Sequence, residues 1–139
     1  MIILGIDLGK ARTGVAVCDR GEMLASPLCV LQEHNRERLL EKIEQLSKEH
    51  KAEQIALGLP KNMDGSEGES AKNARKFGEL LKRKTGLSVA FVDERGTTVT
   101  AHGYLNQADV RGEKRKAVVD SVAAVIILQH YLDYRRNCL

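Results

Sequence analysis

Residues 2–8 read Ile-Ile-Leu-Gly-Ile-Asp-Leu, an apolar run interrupted by one carboxylate near its end. No other segment constrains the fold as strongly. The run is too short for a buried helix. Its lack of alternation predicts a central strand covered on both faces. The covers must come from elsewhere in a chain of 139 residues. That length suits one domain, expected to span 1–139, and not two lobes around a cleft. A buried, unpaired carboxylate is costly, so Asp7 either caps the following turn or serves a site. Ligands of open α/β sheets gather at the carboxyl ends of strands, and Asp7 stands at such an end.

The rest of the chain supplies strands and covers in a readable order. A tight turn over 9–13 leads to a second strand over 14–19, and a third returns over 23–32. Pro27 demotes part of that third strand to an edge or a bulge. Asn35 caps a helix over 36–50 whose apolar positions Leu39, Leu40, Ile43 and Leu46 follow helical spacing. A fourth strand covers 53–59, and a polar, glycine-containing and mobile loop covers 60–68. Ser66 and Glu69 stand at capping-box spacing. The helix after them faces Ala71, Ala74, Phe77, Leu80 and Leu81 inward and ends near Thr85, with Gly86 as its stop. A fifth strand over 87–92 ends in Asp93-Glu94-Arg95. A short helix over 98–107, a charged loop over 109–115 and a last helix over 116–134 complete the order. A meander followed by alternating helices and strands predicts a mixed five-stranded sheet with helices on both faces. The ribonuclease H-like fold has this order, with strands arranged 3-2-1-4-5.

Three acids stand out against this frame. Asp7 ends the first strand. Glu94 ends the fifth, two strands away and about 9–10 Å distant at ordinary strand spacing; it is long enough to reach back, with Asp93 as the shorter substitute. A turn acid paired with Arg95 is the bland reading of both. Asp120 shares a helical face with Ala117, Ala123, Ala124, Ile127 and Tyr131, which is otherwise apolar. An acid in a first helical turn is favoured by the helix dipole, but that explains an exposed acid and not one on the packing face. Alanines one turn later let the helix approach the sheet closely. Three carboxylates from three elements at one sheet end would form a hard-oxygen site for Mg²⁺ or Mn²⁺. Two such ions about 3.5–4 Å apart would activate water against a phosphodiester. The histidines are scattered, and His102, alone in lying near the proposed site in sequence, reads as a helix-surface residue.

Composition narrows the partner. The net charge is only +3, but positives cluster between Glu69 and Lys84 and again at Arg111, Lys114, Arg115 and Lys116, as phosphate contacts would need. Aromatics are 4% with no Trp, which argues against base stacking as the main binding mode. Cys18, Cys29 and Cys138 have neither metal-ligand spacing nor a disulfide pattern. With no long apolar run, a cytoplasmic protein without membrane contact is expected.

Four motifs in order carry a resemblance. They are Asp7-Leu8-Gly9-Lys10-Ala11-Arg12-Thr13-Gly14, then Gly58-Leu59-Pro60 with Asn62 and Asp64-Gly65-Ser66. Val92-Asp93-Glu94-Arg95 before Thr97-Thr98 is the third, and Lys116 to Ala124 ahead of Ile127-Leu128-Gln129 is the fourth. Over essentially its whole length the chain resembles the bacterial YqgF family, described both as Holliday junction resolvases and as nucleases of precursor 16S ribosomal RNA. The resemblance implies a ribonuclease H-like fold and a divalent-metal nuclease whose acid positions fall on Asp7, Glu94 and Asp120. It also implies nucleic-acid contacts from Lys10, Arg12, Lys61, Asn62, Arg95 and Lys116. One departure stands out: classical relatives carry an acid at the end of the fourth strand, where this chain has Gly58-Leu59-Pro60. Glu94 must stand in for it, which leaves the number of metal ions open.

Other readings remain at this point. Asp-x-Gly followed by Thr-Gly resembles the phosphate hairpin of the actin and sugar-kinase group, but those proteins close two lobes on a nucleotide. A non-catalytic nucleic-acid-binding or assembly factor is a second alternative. Within the nuclease reading, the 5′ end of precursor 16S ribosomal RNA competes with a four-way DNA junction. Resolvases generally act as dimers, and no self-association patch is evident, so a monomer or weak homodimer acting on RNA is favoured.

Overall fold

A computed structural model describes residues 1–94 and 113–137, the stretch 113–120 by its backbone alone. Five strands, β1 (Ile3–Asp7), β2 (Arg12–Cys18), β3 (Ala25–Gln32), β4 (Gln54–Leu59) and β5 (Ser88–Asp93), form one sheet. Its order is β3-β2-β1-β4-β5. The first three strands are antiparallel neighbours, and β1, β4 and β5 run parallel. This is the ribonuclease H-like arrangement expected from the element order. The central place of β1 follows from its composition: Ile3, Leu4 and Ile6 are all fully buried.

Two covers bury the two faces. Helices α1 (Arg36–Glu49) and α2 (Glu69–Thr85) pack on the face carrying Leu4, Ile6, Val15, Ile55 and Leu57, through Leu39, Ile43, Phe77 and Leu81. The opposite face carries small residues beside Ile3. Ala16, Ala56 and Ile3 meet Ala124, Leu128 and Leu132 of α3 (Glu113–Asn137). Small side chains at Ala16 and Ala56 leave room for α3 to come close, because interiors pack to a near-constant density. Close approach on the α3 side is extreme at Gly5, where an added Cβ would stand 2.6 Å from Leu128 Cβ.

Local signals mostly act where the sequence places them. Asn35 caps α1 by accepting from the Arg38 amide at 3.2 Å. Gly86 ends α2 with φ 73°, the left-handed conformation that glycine adopts without steric cost. Pro27 lies on the edge strand β3 beside a bulge: Val15 pairs with Cys29 and Ala16 with Pro27, leaving Leu28 as the extra residue.

Four expectations need correction. Strand β2 begins at Arg12 and not at 14, because Arg12 and Thr13 already pair with Gln32 and Leu31. Gly68, not Ser66, is the N-cap of α2, with no side-chain cap bond. Ser66 is instead engaged by the loop: its amide and hydroxyl donate to Asp64 Oδ1 at 2.9 and 2.6 Å, and Asn62 Nδ2 donates to its Oγ at 2.9 Å. These bonds close upon itself a loop that the sequence reads as mobile. Leu80 is 43% exposed, since Phe77 and Leu81 already fill the inward face. Helix α3 starts at Glu113, earlier than 116. The helix expected over 98–107 lies outside the described residues.

Candidate active site

Strand polarity gathers the carboxyl ends of β1, β4 and β5 at one edge. Ile6 pairs with Leu57, and Leu59 with Asp93. Asp7 closes β1, and Glu94 follows the last residue of β5. The Glu94 amide donates to the Leu59 carbonyl at 3.2 Å, which keeps this backbone attached to β4 beyond the strand. Side chains alternate across a strand, and Ile3, Ala56 and Val92 belong to the cluster under α3. Asp7, Gly58 and Glu94 share that parity, so both acids stand on the α3 side.

Glu94 crosses the backbone of β4. A Cβ built at Gly58 would lie 2.5 Å from Glu94 Oε2, 2.9 Å from its Cδ and 2.7 Å from Ile127 Cδ1 of α3. The carboxyl therefore lies over Gly58, between the sheet and α3, and makes a hydrogen bond with Asp7. Burial comes first among the causes that push the Glu94 carboxyl up to about 9, followed by the Asp7 charge, the bond to Asp7 and the charge of Asp93. All four causes disfavour the charged form of Glu94, because two like charges in a poorly hydrated gap cannot both ionise cheaply. Asp93 itself is exposed at the strand end.

The third acid is approached by the path of α3. The helix runs antiparallel to β1. Its last turns meet the β2–β3 turn, where Arg135 Nε donates to Glu22 Oε1 at 2.6 Å, and Glu22 also holds the Met1 amino group at 3.0 Å. Midway, the Ala124 carbonyl would lie 3.1 Å from a Cβ on Gly5. From Ala124 back to position 120 the helix advances about 6 Å, and from Gly5 to Asp7 the strand advances about 6.6 Å in the same direction. The side chains of Asp120 and Lys116, and all of Arg95 and His102, lie outside the described residues.

Among the described residues, no group of three or more His, Cys, Asp or Glu could hold a metal ion. What they supply is the pair Asp7 and Glu94. Two hard oxygen donors, one disfavoured as an anion by its burial and by its neighbour's charge, fit a divalent cation.

The expected nucleic-acid contacts divide by loop. Lys10 is exposed after β1 and lines a narrow groove of about 80 Å³ with Gly9, Arg36, Pro60, Ser70 and Asn73. Arg12 is half-buried at the start of β2, beside a wider depression formed with Ala11, Gln32 and His34. Lys61 is half-buried and Asn62 exposed in the loop after β4. Sequence reasoning missed Arg36, which donates to the Gly9 carbonyl at 3.3 Å and so stands beside the Asp7 turn. No spacing rule links the start of α1 to that turn. It also treated Gly58 only as a missing acid, although a glycine inside a buried strand signals the close approach of another group.

Known proteins resemble this chain in family and in fold. A family model described as "RuvX: Holliday junction resolvase" matches residues 1–134. A protein of Agathobacter rectalis named "Putative pre-16S rRNA nuclease" is 42% identical over 140 residues, covering 99% of this chain and 98% of that protein. A Clostridium botulinum protein of the same name is 44% identical over 133 residues, covering 96% and 97%. Among solved structures, Thermus thermophilus RuvC in complex with a Holliday junction substrate aligns with a TM-score of 0.62 at 16% identity, covering 99% and 96%. The fowlpox virus resolvase with junction DNA aligns at 0.59 and 12% identity, covering 97% and 99%. At such identities these structures speak for the fold alone.

Proposed function

The chain belongs to the RuvX family of Holliday junction resolvases, and on that premise we propose that this nuclease, a hydrolase of phosphodiester bonds, processes the 5′ end of precursor 16S ribosomal RNA. The observation that carries the chemistry is the contact between the Glu94 and Asp7 carboxyls over Gly58. The name shared by the full-length relatives supports the RNA substrate.

In this reading Asp7, Glu94 and Asp120 are the catalytic acids and would hold Mg²⁺ or Mn²⁺, whose chemistry is to polarise the scissile phosphate and lower the pKa of a water. The protein's own part is positional and electrostatic. Asp7 is held by β1, and Glu94 by the hydrogen bond its backbone N–H donates to the Leu59 carbonyl and by the gap over Gly58. As a ligand Glu94 would be ionised, so its burial would make the pair responsive to a positive charge. Lys10, Arg12, Lys61, Asn62, Arg95 and Lys116 would contact the phosphate backbone, which positions the strand without reading its sequence. The functional unit is one domain over 1–139, cytoplasmic, acting as a monomer or weak homodimer. Among the described residues no helix is long and apolar enough to cross a membrane.

A second reading, cleavage of a four-way DNA junction, is favoured by the description of the family itself. One experiment separates the two. Purified protein is incubated with Mg²⁺ or Mn²⁺ and either a precursor 16S 5′-end RNA or a four-way DNA junction, comparing wild type with Asp7→Asn. Metal-dependent cutting of the RNA that the substitution abolishes is expected. Cutting of the junction alone supports the second reading, and cutting that persists in Asp7→Asn refutes both.

A further inference from the structure

The geometry points to Gly58 as the positioning residue of the active site: by having no side chain, it leaves the channel through which Glu94 reaches Asp7. This rests on the reading of Asp7 and Glu94 as a metal-holding pair, but its own content is steric. Strand β5 is separated from β1 by β4. A side chain starting at the end of β5 must therefore cross β4 to meet Asp7. It cannot pass on the α1–α2 side, because Glu94 shares the parity of Val92, which packs under α3. On the α3 side the space above β4 is roofed by Ile127, whose Cδ1 would be 2.7 Å from a Cβ on Gly58. The remaining gap holds the Glu94 carboxyl, with Oε2 at 2.5 Å and Cδ at 2.9 Å from the same point. Real Cβ atoms do not approach other atoms so closely. Any residue other than glycine must displace the Glu94 carboxyl, the Ile127 δ-methyl or both.

The two contacts make different predictions. If the glycine served only the packing of α3, trimming Ile127 would make room for alanine and nothing would change at the acids. If it serves Glu94, relief at Ile127 leaves the conflict with the carboxyl in place, since the Glu94 amide is tied to Leu59 and the side chain cannot retreat along the strand. The carboxyl would then swing off Asp7 toward solvent. The signal in the sequence is a glycine at the last inward position of a strand whose neighbours Leu57 and Leu59 are buried. A side chain there would normally add to the core, so its absence has a spatial reason.

The test uses the full chain with Gly58→Ala in an Ile127→Val background, which removes the contact with the helix. The crystal structure of this metal-free variant is expected to show the Glu94 carboxyl away from Asp7; a carboxyl still bonded to Asp7 overturns the inference. In parallel, Mn²⁺ binding is measured for the Ile127→Val protein, with and without Gly58→Ala and Glu94→Ala. Gly58→Ala is expected to weaken Mn²⁺ by about tenfold or more when Glu94 is present, the scale seen when the support of a metal ligand is lost. When Glu94 is already alanine, the same substitution should change binding less than about twofold, the additive limit for uncoupled sites. Equal losses in both backgrounds overturn it. If wild type binds no Mn²⁺, the metal reading fails, and the crystal structure alone decides the steric claim.

Discussion

Leu128 rests directly on Gly5, its Cβ only 2.6 Å from where a Cβ on that glycine would stand. This contact holds α3 against the central strand two residues before Asp7. It is the structural reason that the backbone of early α3 runs toward the same sheet edge as the end of β1. The small residues at Ala16 and Ala56 widen the same seat.

Replacing Gly5 by alanine should therefore act on both stability and activity. The opposing atoms are a side-chain Cβ and the Ala124 carbonyl, neither of which can rotate away. Overpacking of this kind costs about 1–3 kcal/mol. A urea midpoint lowered with unchanged slope, together with reduced cleavage at saturating metal, is the expected result. A midpoint equal to wild type would show that α3 is not seated as described.

Loss of either carboxylate should reach chemistry more than substrate binding. Asp7→Asn and Glu94→Gln are expected to lower kcat by about 10²–10³, the scale for removing one preorganised electrostatic group, with KM changed little. Steady-state kinetics on the RNA substrate checks this. A rise in KM alone would move the acids from the reaction to substrate binding.

The raised Glu94 carboxyl predicts a pH dependence with a definite sign. Its ordinary value is 4.5 and its folded value about 9, so across that window the folded state binds the proton that the unfolded state has released. The stability it contributes is fully present below pH 4.5 and is lost as pH rises through about 9. The Tm of metal-free wild type should fall over this range relative to Glu94→Gln, and added Mg²⁺ or Mn²⁺ should reverse the fall for wild type only. Parallel melting curves for the two proteins would contradict the burial of this group.

Phosphate contacts should register in salt dependence. Lys10→Ala and Lys61→Ala each remove one cation from loops at the active edge. Each is expected to weaken binding of RNA evenly across sequences and to reduce the slope of log affinity against log salt by about one. Fluorescence anisotropy over a salt series measures it. An unchanged slope would return that lysine to the solvated surface.

A stabilising substitution is available far from the site. Lys51 has φ 55° after the end of α1, with its amide donating to Lys48 O at 3.2 Å and the Ala52 amide to Ser47 O at 2.8 Å. This is the paired-bond ending in which glycine is the usual residue, since a Cβ in the left-handed region costs about 1–2 kcal/mol. After the greater chain entropy of glycine is set against it, Lys51→Gly should raise stability by about 0.5–1 kcal/mol. Chemical denaturation decides, and a lowered midpoint would argue against the strain.

Much of the architecture was legible residue by residue. The run 2–8 predicted a central strand, and β1 is the middle strand of five. Asn35 and Gly86 marked helix ends through their own backbone chemistry. Pro27 marked the edge and its bulge. Asp7 stood out as a carboxylate at the end of a buried strand, and Glu94 as the acid at the end of the fifth strand long enough to reach back. Where the reading went astray, two local solutions competed. Ser66 had the spacing of a cap but found Asp64 and Asn62 nearer, and Leu80 had helical spacing but came after the inward face was full.

The sequence by itself determined the order of the described elements, their periodicity and most of their ends, because those depend on residues within about a turn of one another. The tertiary structure alone decided that Glu94 lies over Gly58 on the Asp7 side of β4, and that α3 sits in close contact with β1 at Gly5. Those facts depend on distances and loss of water between segments far apart in the chain, and no local pattern encodes how near two strands' side chains come once a helix closes over them.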